Sequence, residues 1–464
     1  MLAALTAATE AQPRDPLHFA IEYLQQHKSQ SDLQKQRSAT KIESFWRGRR
    51  DRVKLNKQSI HSGSQINVLL TMDPGQDLDD EMALVLLATL SDRGLVSCGG
   101  VVTCLAPAGM RARLARGTLD HLGLHKVPVA AGTDGGGSGD ATAMSKIEYL
   151  TELVPQEDAG IDLMRDTLAG APDRSYTIVV VSSLKDVAAL LRRHEELFVQ
   201  KVERVVVQGG AKPFTPGVAP AGTFLEPDTA HNNEFDREAS AFFYRRCQEI
   251  KVPLVIVTRF CAYAAPLPRS IYDDMAATGS PIGVHLQGAQ RRSIEQLWRR
   301  ACAPEGSDAR SGLPARCDKA WFISTFCGGQ GEQRTGSDSI WDLIVSFNMY
   351  DPIALVVAIP ALAHTFEFTE LEVDGVVHRV VGTSKESHGV AGDGERLRSW
   401  MRSAFLNGVK PVQQTAVALQ ASNMRNEQRQ RVSTMSIEDV RNSRIAVETR
   451  RDSSASRVAD DMSA

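Results

Sequence analysis

The sequence predicts an α/β fold: an open, mostly parallel sheet flanked by helices. Two observations predict it. Short apolar runs recur at 66–71, 96–103, 176–181, 202–207 and 254–257. Stretches with helical spacing of apolar residues separate them, at 81–90, 110–122, 184–193 and 236–246. Strand-like runs that alternate with helical stretches build a parallel sheet with helices on both faces. A third observation says where such a sheet would carry its ligand. The first run, Val68-Leu69-Leu70-Thr71-Met72, ends in Asp73-Pro74-Gly75, and Asp77, Asp79 and Asp80 follow at once.

That segment reads as a buried strand, a tight turn and a helix whose first turn is acidic. One or two such aspartates would serve as ordinary helix caps. Asp73, Asp77, Asp79 and Asp80 together repel one another, and a bound cation is the simplest remedy. Hard oxygen ligands select calcium or magnesium over zinc. Open α/β sheets bind ligands in the crevice beyond the C-terminal ends of their strands, where this loop would lie.

The elements in between follow the same rules. Helical spacing at 81–90 continues directly from the acidic turn, and the run 96–103 supplies the next strand. The runs 176–181 and 202–207 bracket a helix at 184–193, and 254–257 follows a helix at 236–246. Residues 268–340 read as helices and polar loops forming a cap over the sheet. Beyond 410 the chain is rich in Gln, Arg, Ser, Glu and Asp. That composition predicts a mobile polar tail over 411–464, with one short helix near 436–444.

Whole-chain properties bound the function. The chain has 464 residues, 42% of them hydrophobic and 23% charged, which permits a large core. A formal net charge of -3 gives no general attraction to nucleic acid or to a membrane surface. No apolar run approaches the length of a membrane span, and the N-terminus lacks the charged and apolar blocks of a secretory signal. Cys98, Cys104, Cys247, Cys261, Cys302, Cys317 and Cys327 are scattered without C-x-x-C spacing. They are expected to be reduced and mostly buried in a cytoplasmic protein, with neither a zinc site nor a disulfide framework.

Ahead of the α/β region, residues 1–30 predict two short amphipathic helices around Gln12-Pro13-Arg14-Asp15-Pro16. Residues 14–24 resemble the second helix of the dimerisation/docking fold of cyclic-AMP-dependent kinase regulatory subunits, with a truncated first helix. The resemblance implies a homodimer or a docking partner, and extends the expected location to a cilium or flagellum. Residues 36–58 contain Ile42-Glu43-Ser44-Phe45-Trp46-Arg47-Gly48-Arg49-Arg50-Asp51-Arg52. This resembles the IQ motif of calmodulin-binding helices, with Glu43 in place of the usual Gln. Ile42, Phe45 and Trp46 share one helical face beside a basic run, a pattern suited to the groove of an acidic partner such as calmodulin.

Residues 67–406, within a predicted domain of 64–410, resemble the inosine-uridine-preferring nucleoside hydrolase family. The family opens on D-x-D-P-G-x-D-D. Here Thr71-Met72-Asp73-Pro74-Gly75 aligns with its first part and Asp79-Asp80 with its last, across an insertion. A register equating Asp77 with the first Asp of that pair would put Leu78 at a ligand position. Val179-Val180-Val181-Ser182-Ser183-Leu184-Lys185-Asp186 resembles the strand and G-P-L-T-N turn, with Lys185 at the Thr. Val205-Val206-Val207-Gln208-Gly209-Gly210 resembles V-V-M-G-G, and Asn232-Asn233-Glu234-Phe235-Asp236 matches the stretch that carries the sugar-binding Asn. Asn348-Met349-Tyr350-Asp351-Pro352 resembles M-H-D-P.

The resemblance implies a Ca2+ held by Asp73, Asp80 and Asp351 carboxylates and the Lys185 carbonyl. It implies Asp73 as base for the attacking water, and Asp79, Asn232 and Gln208 as substrate contacts. The reaction implied is hydrolysis of the N-glycosidic bond of a nucleoside or related riboside, in purine or pyrimidine nucleoside metabolism. Three departures bear on the substrate. Tyr350 stands where purine-active members have a His that protonates the leaving base, and a phenol of ordinary pKa about 10 is a poorer acid at neutrality. His231, beside Asn232, is the alternative acid. Ala230 replaces a Glu that grips the ribose 5′-hydroxyl, and Thr103-Cys104-Leu105-Ala106-Pro107 lacks the family's Asn after the second strand. Those losses support a competing reading, a catalytically degenerate scaffold that binds calmodulin and a ciliary or signalling partner. A third reading takes Asp77-Leu78-Asp79 as the D-x-D of a phosphatase or glycosyltransferase, but it gives Pro74-Gly75 and Asp351-Pro352 no role.

Overall fold

The computed structural model describes residues 65–409 except Gln76, 137–146, Glu148, 152–158 and Gly312. The docking-like helices, the IQ-like helix and the polar tail therefore lie outside the described residues. Ile66–Ala358 and residues 365–409 belong to one compact unit.

Within that unit the chain alternates as the apolar runs predict. β1 (Ile66–Met72) leads into α1 (Asp79–Asp92), β2 (Val96–Thr103), α2 (Ala108–His121), β3 (Val129–Ala131) and α3 (Gly160–Ala169). Next come β4 (Tyr176–Val180), α4 (Lys185–Arg193), α5 (Glu195–Lys201), β5 (Val202–Gly209) and β6 (Gly217–Val218). The short α6 (His231–Glu234) precedes α7 (Arg237–Glu249), β7 (Leu254–Thr258), α8 (Arg259–Ala264) and β8 (Leu267–Pro268). The cap region holds α9 (Ser270–Ala276), α10 (Pro281–Cys302) and α11 (Lys319–Phe326). β9 (Ser346–Phe347), α12 (Tyr350–Val357), β10 (Phe368–Val373), β11 (Val376–Val381) and α13 (Glu395–Gly408) complete it.

Nine strands form one sheet in the order β3-β2-β1-β4-β5-β7-β11-β10-β6. All neighbours are parallel except β10 and β11, which form an antiparallel hairpin. The strand order runs outward in one direction through β1, β2 and β3 and in the other through β4, β5 and β7. The C-terminal ends of β1 and β4 therefore flank a topological switch point, where a ligand crevice opens in such sheets.

The core is built where the strands are least polar. Leu69, Ile178, Val180, Val205, Val207 and Ile256 point into one cluster with Leu184, Leu190, Leu191, Phe198 and Phe243 from the helices. Helix α1 is buried from Met82 to Leu90, with no polar face. Such a helix needs cover on every side, and β2, α2, α12 and α13 supply it. The approach to α13 is close enough that a Cβ at Gly408 would lie 2.1 Å from the Val85 carbonyl. All seven cysteines are free, five of them buried. Among the described residues no helix is long and apolar enough to cross a membrane.

Candidate metal centre and active site

The acidic loop starts where β1 ends. Gly75 adopts φ 109, a conformation that glycine reaches without steric cost, and the chain reverses there towards α1. Asp79 and Asp80 then fall in the first turn of α1. Leu78, just before them, is buried. The Asp73 N–H donates to Asp80 Oδ1 at 2.9 Å, which ties the strand end to the helix start. Asp351 enters from the first turn of α12. Carboxylate oxygens of Asp79, Asp80 and Asp351 lie within 4.8 Å of one another.

Electrostatics binds two more residues to this group. Asp73 acts on Asp80, and Asp73 and Asp77 both act on Asp351 and on Asp79. Burial raises Asp73 to about 7, with the Arg111 guanidinium opposing the rise and Asp77 adding to it. Burial first, and Asp77 after it, raise Asp79 to about 7. Asp80 and Asp351 lie well above the ordinary carboxylate range, through burial and then their neighbouring aspartates. Five carboxylates pushed up together are what a cation pocket looks like before its charge is balanced. A compact set of three buried or half-buried carboxylates fits a hard divalent cation such as calcium. Behind the set, Glu81 is buried, and burial pushes it up to about 8 against the backbone N–H groups of Glu81 and Gly75.

Arg111 organises the loops around the acids, a role that the sequence reading missed. It is 1% exposed. Its Nη1 donates to the carbonyls of Asp73 and Pro74, its Nε to Leu105 O at 3.2 Å and its Nη2 to Ala106 O at 3.3 Å. One guanidinium on α2 thus holds the loop after β1 against the loop after β2. A signal was present in the sequence, because Arg111 shares the helical stripe of buried Ala115, Thr118 and Leu122. A charge on an apolar stripe has to be paired or hydrogen-bonded.

The other sequence-predicted residues fall as follows. Lys185 is the first residue of α4, and its ammonium pairs with Asp134 at 2.6 Å. Asn232 Nδ2 donates to Gln208 Oε1 at 2.6 Å and to the Gln208 carbonyl at 3.2 Å, so the end of β5 and α6 are joined through these two residues. His231 is exposed, its ring 4.4 Å from that of Phe235. Although water reaches the residue, the protein packed around its ring lowers the His231 pKa, while Asp77 raises it and Arg316 lowers it. Asp77 is accessible to water yet recessed among protein groups, with His231, Arg111 and Arg300 all opposing the rise that burial causes.

Tyr350 stands next to Asp351. Asn348 Nδ2 donates to its hydroxyl at 3.4 Å, and the Tyr263 ring packs 6.2 Å away, edge to face. Burial, then Tyr263, push its pKa well above the usual phenol range. Tyr350 therefore stays protonated through the whole neutral range and offers a hydrogen bond rather than a proton. The structure sharpens the sequence expectation here, because the phenol is a weaker acid than an ordinary tyrosine.

The sequence profile described as inosine-uridine preferring nucleoside hydrolase matches residues 68–399. Among solved structures the effector protein XOO4466 is similar, with 26% identity, a TM-score of 0.61, and coverage of 77% of this chain and 98% of its own. The type III effector protein XopQ, crystallised in complex with adenosine diphosphate ribose, is similar at 27% identity and TM-score 0.62, with the same coverage, 77% and 98%. No curated protein matches the chain.

Proposed function

The chain belongs to the inosine-uridine preferring nucleoside hydrolase family, and from that premise we propose that it is a calcium-dependent N-ribohydrolase acting on a nucleoside or related riboside. The observation that carries the proposal is the convergence of Asp79, Asp80 and Asp351 beside Asp73 at the switch point of the sheet. Asp73, Asp80 and Asp351 would supply carboxylate oxygens to the cation, and the Lys185 carbonyl a further oxygen. Asp79 stands close enough to serve the same centre or to accept from a ribose hydroxyl. A calcium ion bound there lowers the cost of ionising a water molecule.

The remaining steps belong to the chain's own residues. Asp73, kept ionised beside a bound cation, takes the proton of the attacking water. Asn232, already oriented by Gln208, holds a ribose hydroxyl. Water attacks C1′ as the N-glycosidic bond breaks through an oxocarbenium-like state. Tyr350 donates a hydrogen bond without giving up its proton. The leaving base must then depart with little acid assistance or take a proton from His231, whose lowered pKa leaves it mostly neutral at pH 7.

A second reading concerns the substrate alone. Ala230 leaves no carboxylate for a 5′-hydroxyl, while Arg300 and Arg316 act on Asp77 and His231 at the mouth of the site. A riboside with an anionic 5′ substituent fits that charge pattern, and XopQ was crystallised with such a molecule. Purified protein assayed for released ribose or ribose 5′-derivative against purine, pyrimidine and nicotinamide ribosides, ADP-ribose and NAD tests both readings. Turnover that disappears with chelator and returns with calcium is the expected result. Absence of turnover on every substrate would leave the binding-scaffold reading in possession. For that reading, residues 36–58 as a peptide should bind calmodulin at micromolar concentration, in calcium or in chelator. No binding in either condition would return the segment to an ordinary basic linker.

A further inference from the structure

A second cavity lies at the other end of the strands. The acidic centre occupies their C-terminal ends. Arg174 precedes β4, Glu203 and Arg204 open β5, and Pro253 precedes β7, so this cavity sits at the N-terminal ends. The β10–β11 hairpin closes it with Gly375, Val376, Val377 and Arg379, around a volume of about 540 Å³.

Its polar lining is dominated by guanidinium. Register places Arg204 and Arg379 on one face of the sheet: Val206 pairs with Val255, Val255 pairs with Arg379, and Arg204 is two residues from Val206. Arg379 Nε already satisfies Glu370 at 2.9 Å, outside the cavity lining, which leaves Glu203 as the lining acid against three arginines. Arg204 Nη2 donates to the Ala358 carbonyl at 3.1 Å, but its Nε is buried and has no acceptor. Burial pulls the Arg204 pKa below its usual value; Glu203 opposes that and Arg379 adds to it. A buried guanidinium N–H without an acceptor, with a second guanidinium on the same face, is unfavourable as it stands. An oxyanion in the cavity offsets that cost by balancing the two guanidinium charges.

We propose that this cavity binds a phosphate group, held by Arg204 and Arg379 from the sheet and by Arg174 from the loop before β4. Guanidinium forks match the oxygens of a phosphate, and several converging on one centre favour it over a singly charged carboxylate. Pro253, Val255, Val376 and Val377 give the cavity an apolar side that suits the organic part of a phosphorylated small molecule. The site is independent of the proposed hydrolase chemistry.

Inorganic phosphate is the probe, titrated into the metal-free full-length protein at constant ionic strength by calorimetry and by thermal unfolding. A saturable rise in melting temperature is expected, about 2 °C when phosphate exceeds its dissociation constant tenfold. Arg379→Ala and Arg174→Asn should each weaken binding by about 10-fold or more, the loss of one charge-assisted pair. Arg174 is exposed at φ 49, a conformation that Asn tolerates, so that variant keeps the fold. The double variant Asp79→Asn/Asp351→Asn should keep wild-type phosphate affinity, which separates this site from the acidic centre. No saturable effect up to about 20 mM phosphate overturns the proposal, since weaker binding would be non-specific. Equal binding by the arginine variants overturns it too, as does loss of binding in the aspartate double variant.

Discussion

Asp73 carries the largest share of the proposed chemistry, and its surroundings say why a single substitution there should be decisive. It ends a buried strand, its N–H is committed to Asp80, and its carbonyl is held by Arg111. Replacing the side chain leaves both backbone anchors in place. Asp73→Ala should therefore keep its circular-dichroism spectrum and melting transition while losing riboside hydrolysis; retained turnover in the folded variant would remove Asp73 from the mechanism. Tyr350 allows the complementary test. A missing general acid costs typically about 10²–10⁴-fold. Tyr350→His should raise inosine hydrolysis within that range if acid assistance is what the site lacks, and an unchanged rate would show that leaving-group protonation is not limiting. The identity of Tyr350 was legible in the sequence from its place before Asp351-Pro352. Its raised pKa was not, because that depends on burial and on Tyr263, nearly ninety residues away in the chain.

Among the elements, strands and helices with unbroken apolar patterns were the most legible. The predicted strand at 66–71 is β1 at Ile66–Met72, and the predicted helix at 81–90 is α1 at Asp79–Asp92, longer because its first turn is acidic rather than apolar. The β10–β11 hairpin escaped notice because its residues alternate between buried and exposed, with Glu370, Glu372 and Arg379 breaking the apolar run. Strand β3, three residues long, has too little sequence to carry a period. Helix α2 holds the clearest omission, since its apolar spacing predicts a helix at 110–122 but not the clamp that Arg111 forms. Arg111→Met should free four carbonyls in the loops after β1 and β2. A destabilisation of about 3 kcal/mol or more is expected from the loss of buried charge-assisted hydrogen bonds. Calcium affinity should fall with it, measured by calorimetry below the variant's own melting temperature. Wild-type stability and calcium affinity together would mean that the loops hold their shape without the clamp.

For the whole molecule the acidic centre sets a pH dependence whose sign is fixed by the direction of the shifts. Asp73 and Asp79 rise from 3.8 to about 7 on folding without a cation. The folded protein then holds protons that the unfolded chain has already lost. This contribution to stability is full below about pH 4 and disappears as pH rises through 7. The metal-free protein should melt at progressively lower temperature between pH 5 and 8. Saturating calcium should cancel that slope, because the cation binds the ionised carboxylates and its affinity grows with pH. A metal-free melting temperature that rises over the same interval would show that these carboxylates are ionised and paired by some other means.

The sheet has one more consequence at this scale. Its outermost strands are β3, three residues, and β6, two residues. An edge strand offers unpaired backbone groups to any passing chain, and length is what makes it a template for fibrils and strand-swapped aggregates. Among the described residues the margins are cut short, and they cover their neighbours only in part: β3 pairs with Val101–Thr103 of β2, and β6 with Leu371 and Glu372 of β10. Self-association by strand addition has only short stretches to build on at either margin, which favours assembly of this domain through side chains and helices.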